Sequence, residues 1–268
     1  MARRDGKPRV IPQFFTGVGY LFRGFGVWRT APRLMILGMV PALLVGAVFV
    51  AGFILLGINL EMIVTAATPF ANPWDEPYRT GARVIAAAAL LVVAFIIIVF
   101  TFTTVTLIVG APFYEKIWHH VESRFGEVPE DRRGFWRTLG SGIGDGLRML
   151  VPTLLVAIHL FAVGIIPVVG QVLSPILGAF FGGWFLAVEL VGTAFDARGK
   201  TLRERRATLR SLRPMTLGFG LATYLLFLVP LGAVIAMPAA VAGATLLARR
   251  ELGEDASTAV SAPARTTS

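Results

Sequence analysis

The charged residues of this chain are gathered into blocks, and four long stretches between them carry none: residues 34–60, 84–114, 149–188 and 214–248. These windows run to 27, 31, 40 and 35 residues, each longer than the roughly 20 apolar residues that cross a bilayer core. The pattern predicts a polytopic, all-α membrane protein. The first two windows read as single long transmembrane helices. The third and fourth are awkward lengths, about 60 Å and 52 Å if helical at 1.5 Å per residue, slightly short of two full crossings and a turn. Each is broken near its middle, by Gly-Ile-Ile-Pro-Val-Val-Gly at 164–170 and Pro175, and by Pro-Leu-Gly at 230–232 and Pro238. Neither break contains a charge. They read as proline/glycine-broken helical hairpins, re-entrant where the tips stay at membrane depth, and backbone of that kind must be buried in protein or line a polar cavity.

The polar segments carry helices of their own. Phe14, Val18, Leu21, Phe25 and Trp28 recur at helical spacing with Arg23 and Arg29 nearby, which predicts a short amphipathic interfacial helix. Pro112 stands where a helix begins, with Phe113, Ile117, Val121 and Phe125 as its apolar stripe. Glu115, Lys116, His119, Glu122 and Arg124 are expected on its polar faces. Thr-Leu-Arg-Glu at 201–204 is a capping box opening a third, basic helix through Arg213. The domain reading is a single membrane domain over residues 1–252 and a disordered polar tail over 253–268.

Charge placement orients these elements. The segments 1–33, 115–148, 189–213 and 249–268 hold seven, six, seven and three Lys or Arg residues, whereas 61–83 holds two, with Glu61, Asp75 and Glu76. By the positive-inside rule 61–83 faces outward, and both termini lie on the cytoplasmic side of the cell membrane. No secretory signal is read at the N-terminus, since the first apolar run starts only at Leu34. The net charge of +9 does not point to nucleic acid, because the cations flank apolar spans and suit anionic lipid head groups. With 55% hydrophobic and 15% charged residues and a mean hydropathy of +0.72, the chain does not read as a soluble enzyme. It has no cysteine, which excludes disulfides, thiol catalysis and Fe–S ligation. Arginine outnumbers lysine 22 to 3, which fits a GC-rich bacterial genome.

No catalytic, metal or cofactor constellation is visible. His159, inside an apolar window, reads either as a proton relay or as a ring bonded to a helix carbonyl. Glu189 and Asp196 share a helix face and are expected to pair with nearby arginines. The glycines at 24–26 and 140–146 match no phosphate-loop spacing. Gly178, Gly182 and Gly183 suit close helix approach, and association between copies is left open. The most suggestive segment is Trp-Arg-Thr-Ala-Pro-Arg at 28–33. If Thr30 caps a helix starting near Pro32, free N–H groups gather there with the forked guanidinium groups of Arg29 and Arg33, a setting for an oxyanion. The bland alternative is that both arginines anchor the membrane boundary.

Several stretches, in order over 110–248, resemble the sulfate permease CysZ/etoposide-induced-protein family. They are Gly-Ala-Pro-Phe-Tyr-Glu-Lys at 110–116, Ile-Pro-Val-Val-Gly-Gln at 166–171, Ala-Phe-Asp at 194–196 and Met-Pro-Ala-Ala-Val-Ala-Gly-Ala-Thr at 237–245. The resemblance implies two long transmembrane helices with two partly penetrating hairpins, and uptake of sulfate or a related oxyanion for cysteine synthesis, with no ATPase of its own. In that family the anion is associated with a Gly-hydrophobic-Arg-Arg segment before the first long helix. Ala-Pro-Arg-Leu-Met at 31–35 corresponds to it here with one Arg, so Arg33 is carried over, and Arg29 and Thr30 come from the reading of this chain alone. The competing reading is a non-transporting protein that shapes membrane or scaffolds partners. A conduit would draw on Thr101, Thr103, Thr104, Thr106, Thr153, His159, Gln171 and Ser174.

Overall fold

The computed structural model describes residues 10–129, 135–229 and 231–254, and among them ten α-helices and no strand. The helices are α1 Val10–Thr30, α2 Pro32–Ile58, α3 Leu60–Ala67, α4 Glu76–Glu122, α5 Phe135–Gly164, α6 Val169–Leu190, α7 Gly192–Ala197, α8 Leu202–Ser211, α9 Arg213–Leu228 and α10 Gly232–Glu251. Pro230, most of the tail expected from residue 253, and the side chain of Thr103 lie outside the described residues.

The first two apolar windows become α2 and α4, as the charge pattern predicts. Between them lie α3 and a 3-10 turn, Pro69–Ala71, so the segment read as an outward loop is largely helical. Pro112 does not start a new helix. α4 runs through it for 47 residues, about 70 Å at 1.5 Å per residue, because the loss of one backbone hydrogen bond is small beside the bonds the helix keeps on either side. The third and fourth windows form hairpins, α5 with α6 and α9 with α10. The arms of the first are longer than halving its window suggests, since α5 and α6 extend past the window into charged sequence. By length and composition α2, α4, α5 from Gly144, α6 with α7, and α10 are each sufficient to cross a membrane, while α9 has 16 residues and meets α8 at a bend of 103°. The capping box forms as read, with the Thr201 hydroxyl accepting from the Glu204 amide and Glu204 accepting from the Thr201 amide. The basic helix ends at Ser211, however, and Arg213 begins α9.

Two compact units are distinguished, the described parts of 1–38 with 113–268, and 39–112. In the first, Leu21, Met35, Ile117, Phe195, Phe219 and Leu247 are fully enclosed. α1 belongs to this core and is not a free interfacial helix, for Leu21 of its apolar stripe is enclosed and Phe25 and Trp28 pack against the core. Its buried residues are Gly17, Tyr20, Leu21, Gly24 and Val27, and it packs on α9 and α10. The crossings are made backbone on backbone. A methyl carbon on Gly17 would overlap the Met215 carbonyl, one on Gly24 the Ala239 carbonyl, and one on Gly218 the Phe14 carbonyl. Small residues permit such approach where apolar side chains gain nothing by leaving lipid. In the second unit the Phe49 and Phe102 rings meet edge to face at 6.4 Å, and Arg83 donates to Asn72 Oδ1 at 3.0 Å. Its α4 segment leaves Phe95, Ile97, Phe100 and Ile108 exposed, an apolar surface suited to lipid contact.

The hairpin tips are apolar too. At the first, Val168 adopts φ 65°, a left-handed conformation costly for a β-branched residue, and Gly170 presses against Val163 where a methyl would not fit. At the second, Leu231 has φ 61° and Gly232 presses against Leu226. Val168 and Leu231 are both exposed.

The α1 contacts lead to a test within a single helix. Gly17→Ala should lower the apparent Tm of the detergent-purified protein by several degrees, since over-packing costs about 1–3 kcal/mol. Gly19→Ala faces open space and should leave Tm unchanged or raise it, because Ala exceeds Gly in helix propensity by about 1 kcal/mol. Thermal shift assays on both variants check this.

Candidate functional site

The candidate anion segment lies at the junction of α1 and α2, where Ala31 alone separates the two helices. Arg29, Thr30 and Arg33 are all exposed there. Thr30 does not cap α2. Its hydroxyl donates to the Val27 carbonyl at 3.3 Å, back into α1, and the start of α2 is closed by the Ala31 carbonyl, which accepts from the amides of Leu34 and Met35. Pro32 has no amide hydrogen, so the nest of free N–H groups expected behind Thr30 is reduced to a backbone already largely bonded. A different cation reaches the junction instead. Arg124, 94 residues further along the chain, donates to Thr30 Oγ1 at 2.6 Å and lies 3.0 Å from His120 Nε2. The junction therefore gathers arginines from two parts of the chain, with Thr30 bridging α1 to the end of α4.

The fixed position of that α4 end comes from Glu122, which the sequence reading placed on a polar face with Glu115. Glu115 is exposed, but Glu122 has no exposed surface at all. Arg198 donates to Glu122 Oε1 and Oε2 at 3.0 and 3.1 Å, and Arg249 donates to Oε2 at 2.6 Å. Arg198 also donates to the Ala194 carbonyl and to Glu254, whose backbone carbonyl accepts from Arg249. Two carboxylates and two guanidinium groups thus balance within one cluster, and the Arg249 guanidinium stacks 4.5 Å from the centre of the Phe125 ring. A partner cluster lies beside it, where Arg205 donates to Asp196 at 2.6 Å as the sequence reading expected. Nothing in local spacing separates Glu122 from Glu115. The difference is made by α10 and the α7–α8 linker, which arrive from more than 70 residues away.

The intramembrane polar residues mostly take the bland role. Thr104 bonds the Phe100 carbonyl, Thr153 that of Met149, and His159 Nδ1 lies 2.7 Å from the Leu155 carbonyl. Ser174 bonds Leu160 across the first hairpin at 2.9 Å. The Thr106 hydroxyl is buried with no partner among the described residues. Among those residues, no group of acidic or histidine side chains is arranged to hold a metal ion.

Residues 20–238 match the model of the family described as Sulfate transporter CysZ/Etoposide-induced protein 2.4. A protein named Sulfate transporter CysZ from Pseudomonas paraeruginosa is 38% identical over 165 residues, 60% of this chain and 67% of the relative. Another of that name, from Pseudomonas syringae pv. tomato, is 30% identical over 246 residues, which cover 90% of this chain and 94% of the relative.

Glu254 gives the cluster a pH signature. Hydrogen bonds from Arg198 lead in holding its carboxyl below the ordinary value, against the opposing effect of burial. A carboxyl lowered on folding adds stability above its unfolded pKa, and that contribution is lost as pH falls through the folded pKa. Glu254→Gln should therefore lower Tm at pH 7, and the gap between parent and variant should begin to narrow as pH falls through about 4.3, the ordinary glutamate value. Melting curves at pH 3–8 that run parallel throughout would contradict this role.

Proposed function

We propose that this chain, which belongs to the Sulfate transporter CysZ/Etoposide-induced protein 2.4 family, is a multi-pass membrane permease that carries sulfate into the cell. The observation that carries the reading is the match to proteins named Sulfate transporter CysZ, which extends along 90% of the chain and so takes in its long apolar helices together with both hairpins. On this reading the chain supplies sulfate for assimilation and cysteine synthesis.

The same proposal places the chain in the cytoplasmic membrane with both termini inside. Its support is the arrangement of basic residues, which leaves 61–83 as the segment poorest in cations. A hairpin returns the chain to the side it came from, so α5–α6 and α9–α10 keep this orientation whether or not their tips cross fully. The uncharged, apolar tips at Val168 and Leu231 favour tips held at membrane depth.

For the anion we infer a contact at the α1–α2 junction, with Arg33 and Arg29 presenting guanidinium groups to an oxyanion. Thr30 serves there by holding Arg124, which adds a third cation; its own proton is committed to Val27. Arg33 lies at the start of the first long apolar helix, where an anion approaching from the cytoplasmic boundary would meet it.

The test is uptake of labelled sulfate by proteoliposomes, normalised to inserted protein. Its orientation is read with an impermeant thiol reagent at a single cysteine replacing exposed Tyr78, expected outside. Loss of a charge-assisted hydrogen bond costs about 1.5–3 kcal/mol, so Arg33→Ala should reduce uptake or affinity by about ten- to a hundredfold. Arg33→Lys should rescue in part, since it keeps the charge and loses the planar fork. Unchanged flux in Arg33→Ala would move the anion contact elsewhere, and no sulfate flux in the parent would overturn the permease reading.

A further inference from the structure

α8 carries Arg203, Arg206 and Arg210 at spacings of three and four, which place them on one side of the helix. Its other side is buried through Leu202, Arg205 and Leu209. The acidic groups nearest in sequence are already engaged, Asp196 by Arg205 and Glu204 by its capping box. None of Arg203, Arg206 and Arg210 is ion-paired among the described residues. Arg148 from α5 completes a cavity of about 620 Å³ lined by these four arginines and by Thr201. Asp145 pairs with Arg148 at 3.3 Å and offsets one charge, leaving an excess of three. Burial, and then the neighbouring Arg210, lower the affinity of Arg206 for its proton, so an incoming anion would relieve a strain already present.

A second cavity adjoins the first through one side chain. Arg206 Nη2 lies 2.7 Å from Met149 Sδ, and Met149 also lines a groove of about 570 Å³ between α5, α6 and α9. Leu150, Leu186, Phe185, Phe227 and Tyr224 make this groove mainly apolar, with Glu189 as its charged residue. The 103° bend between α8 and α9 sets the arginine helix across the direction of the apolar one. A cationic chamber thus opens beside an apolar groove where basic sequence meets apolar helix. A free inorganic anion would use the chamber and leave the groove without a role.

We propose that this composite site binds one acidic phospholipid, its phosphate held by Arg148, Arg203, Arg206 and Arg210 and an acyl chain lying in the groove past Met149. The site is separate from the α1–α2 junction and stands whether or not the chain carries sulfate. Phosphate suits forked guanidinium donors, and cytoplasmic leaflets attract basic surfaces of this kind.

The full chain, purified in detergent and stripped of lipid, would be titrated with dioleoylphosphatidylglycerol or dioleoylphosphatidylcholine and the bound lipid counted by native mass spectrometry. The glycerol lipid should bind at least tenfold more tightly than the choline lipid. The triple variant Arg203→Gln/Arg206→Gln/Arg210→Gln should lose that preference, and the corresponding triple Lys variant should keep part of it. Leu150→Trp, which fills the groove and leaves the arginines intact, should weaken phosphatidylglycerol binding about tenfold and spare binding of glycerol 3-phosphate. Equal binding of the two lipids, or a triple Gln variant that binds phosphatidylglycerol as the parent does, would overturn the proposal. So would displacement of the lipid by equimolar sulfate or glycerol 3-phosphate, which would mark a free-anion site. Should the triple Gln variant not fold, Leu150→Trp decides: unchanged phosphatidylglycerol binding overturns the site.

Discussion

The enclosure of the Glu122 carboxylate by Arg198 and Arg249 is the constraint on which the meeting of α4, α7 and α10 in the first unit depends. Taking a carboxylate wholly out of solvent carries a desolvation penalty of several kcal/mol, offset only where geometry is good and further hydrogen bonds satisfy the group. Both conditions are met here, with Arg198 bidentate and Arg249 closing from the other side. The three residues come from the end of α4, the α7–α8 linker and the end of α10, and none of these elements can shift without leaving a buried charge unpaired. Because α4 is fixed at Glu122, Arg124 is held two residues on, where it reaches Thr30 and the junction that carries Arg29 and Arg33.

The rest of the core follows a different logic. Around α1, α9 and α10 the enclosed positions are dominated by Ala and Gly, and contact is made by backbones approaching at Gly17, Gly24 and Gly218. Large apolar side chains such as Phe95, Phe100, Phe161 and Ile176 are left outside. In water that distribution would be inverted. In lipid it is the expected one, since tails solvate leucine as well as protein does and association depends on close packing and polar locks.

What the sequence conveyed is what depends on local pattern. The uncharged windows located α2, α4 and both hairpins, the capping box opened α8 at the right residue, and Asp196 found the arginine foreseen for it. His159, left open between relay and carbonyl-bonded ring, lies against the Leu155 carbonyl. What it concealed depends on partners distant in the chain. Glu122 looked like a surface residue because it falls beside, and not in, the apolar stripe of Phe113, Ile117, Val121 and Phe125. α1 looked interfacial because its apolar stripe lies among basic residues, while Gly17 and Gly24, which let it approach α9 and α10 backbone on backbone, leave little mark in a hydrophobicity pattern. Thr30 looked like a cap because Pro32 follows it, yet its hydroxyl turns back to Val27 and the arginine it meets comes from the turn just after α4. Arg29 and Arg33 were therefore legible as neighbours in the sequence, and the frame that brings Arg124 to Thr30 was not.

The measurement that bears most directly on this account is the stability of Glu122→Ala against that of a double variant in which Glu122→Leu is combined with Arg249→Met. Breaking a buried pair from one side typically costs about 3–5 kcal/mol, whereas apolar replacement of both partners is often near neutral. The account predicts that Glu122→Ala loses most of its folded yield or melts far below the parent, and that the double variant recovers a substantial part of the loss. A Glu122→Ala protein that melts with the parent would contradict it, as would a double variant no more stable than the single.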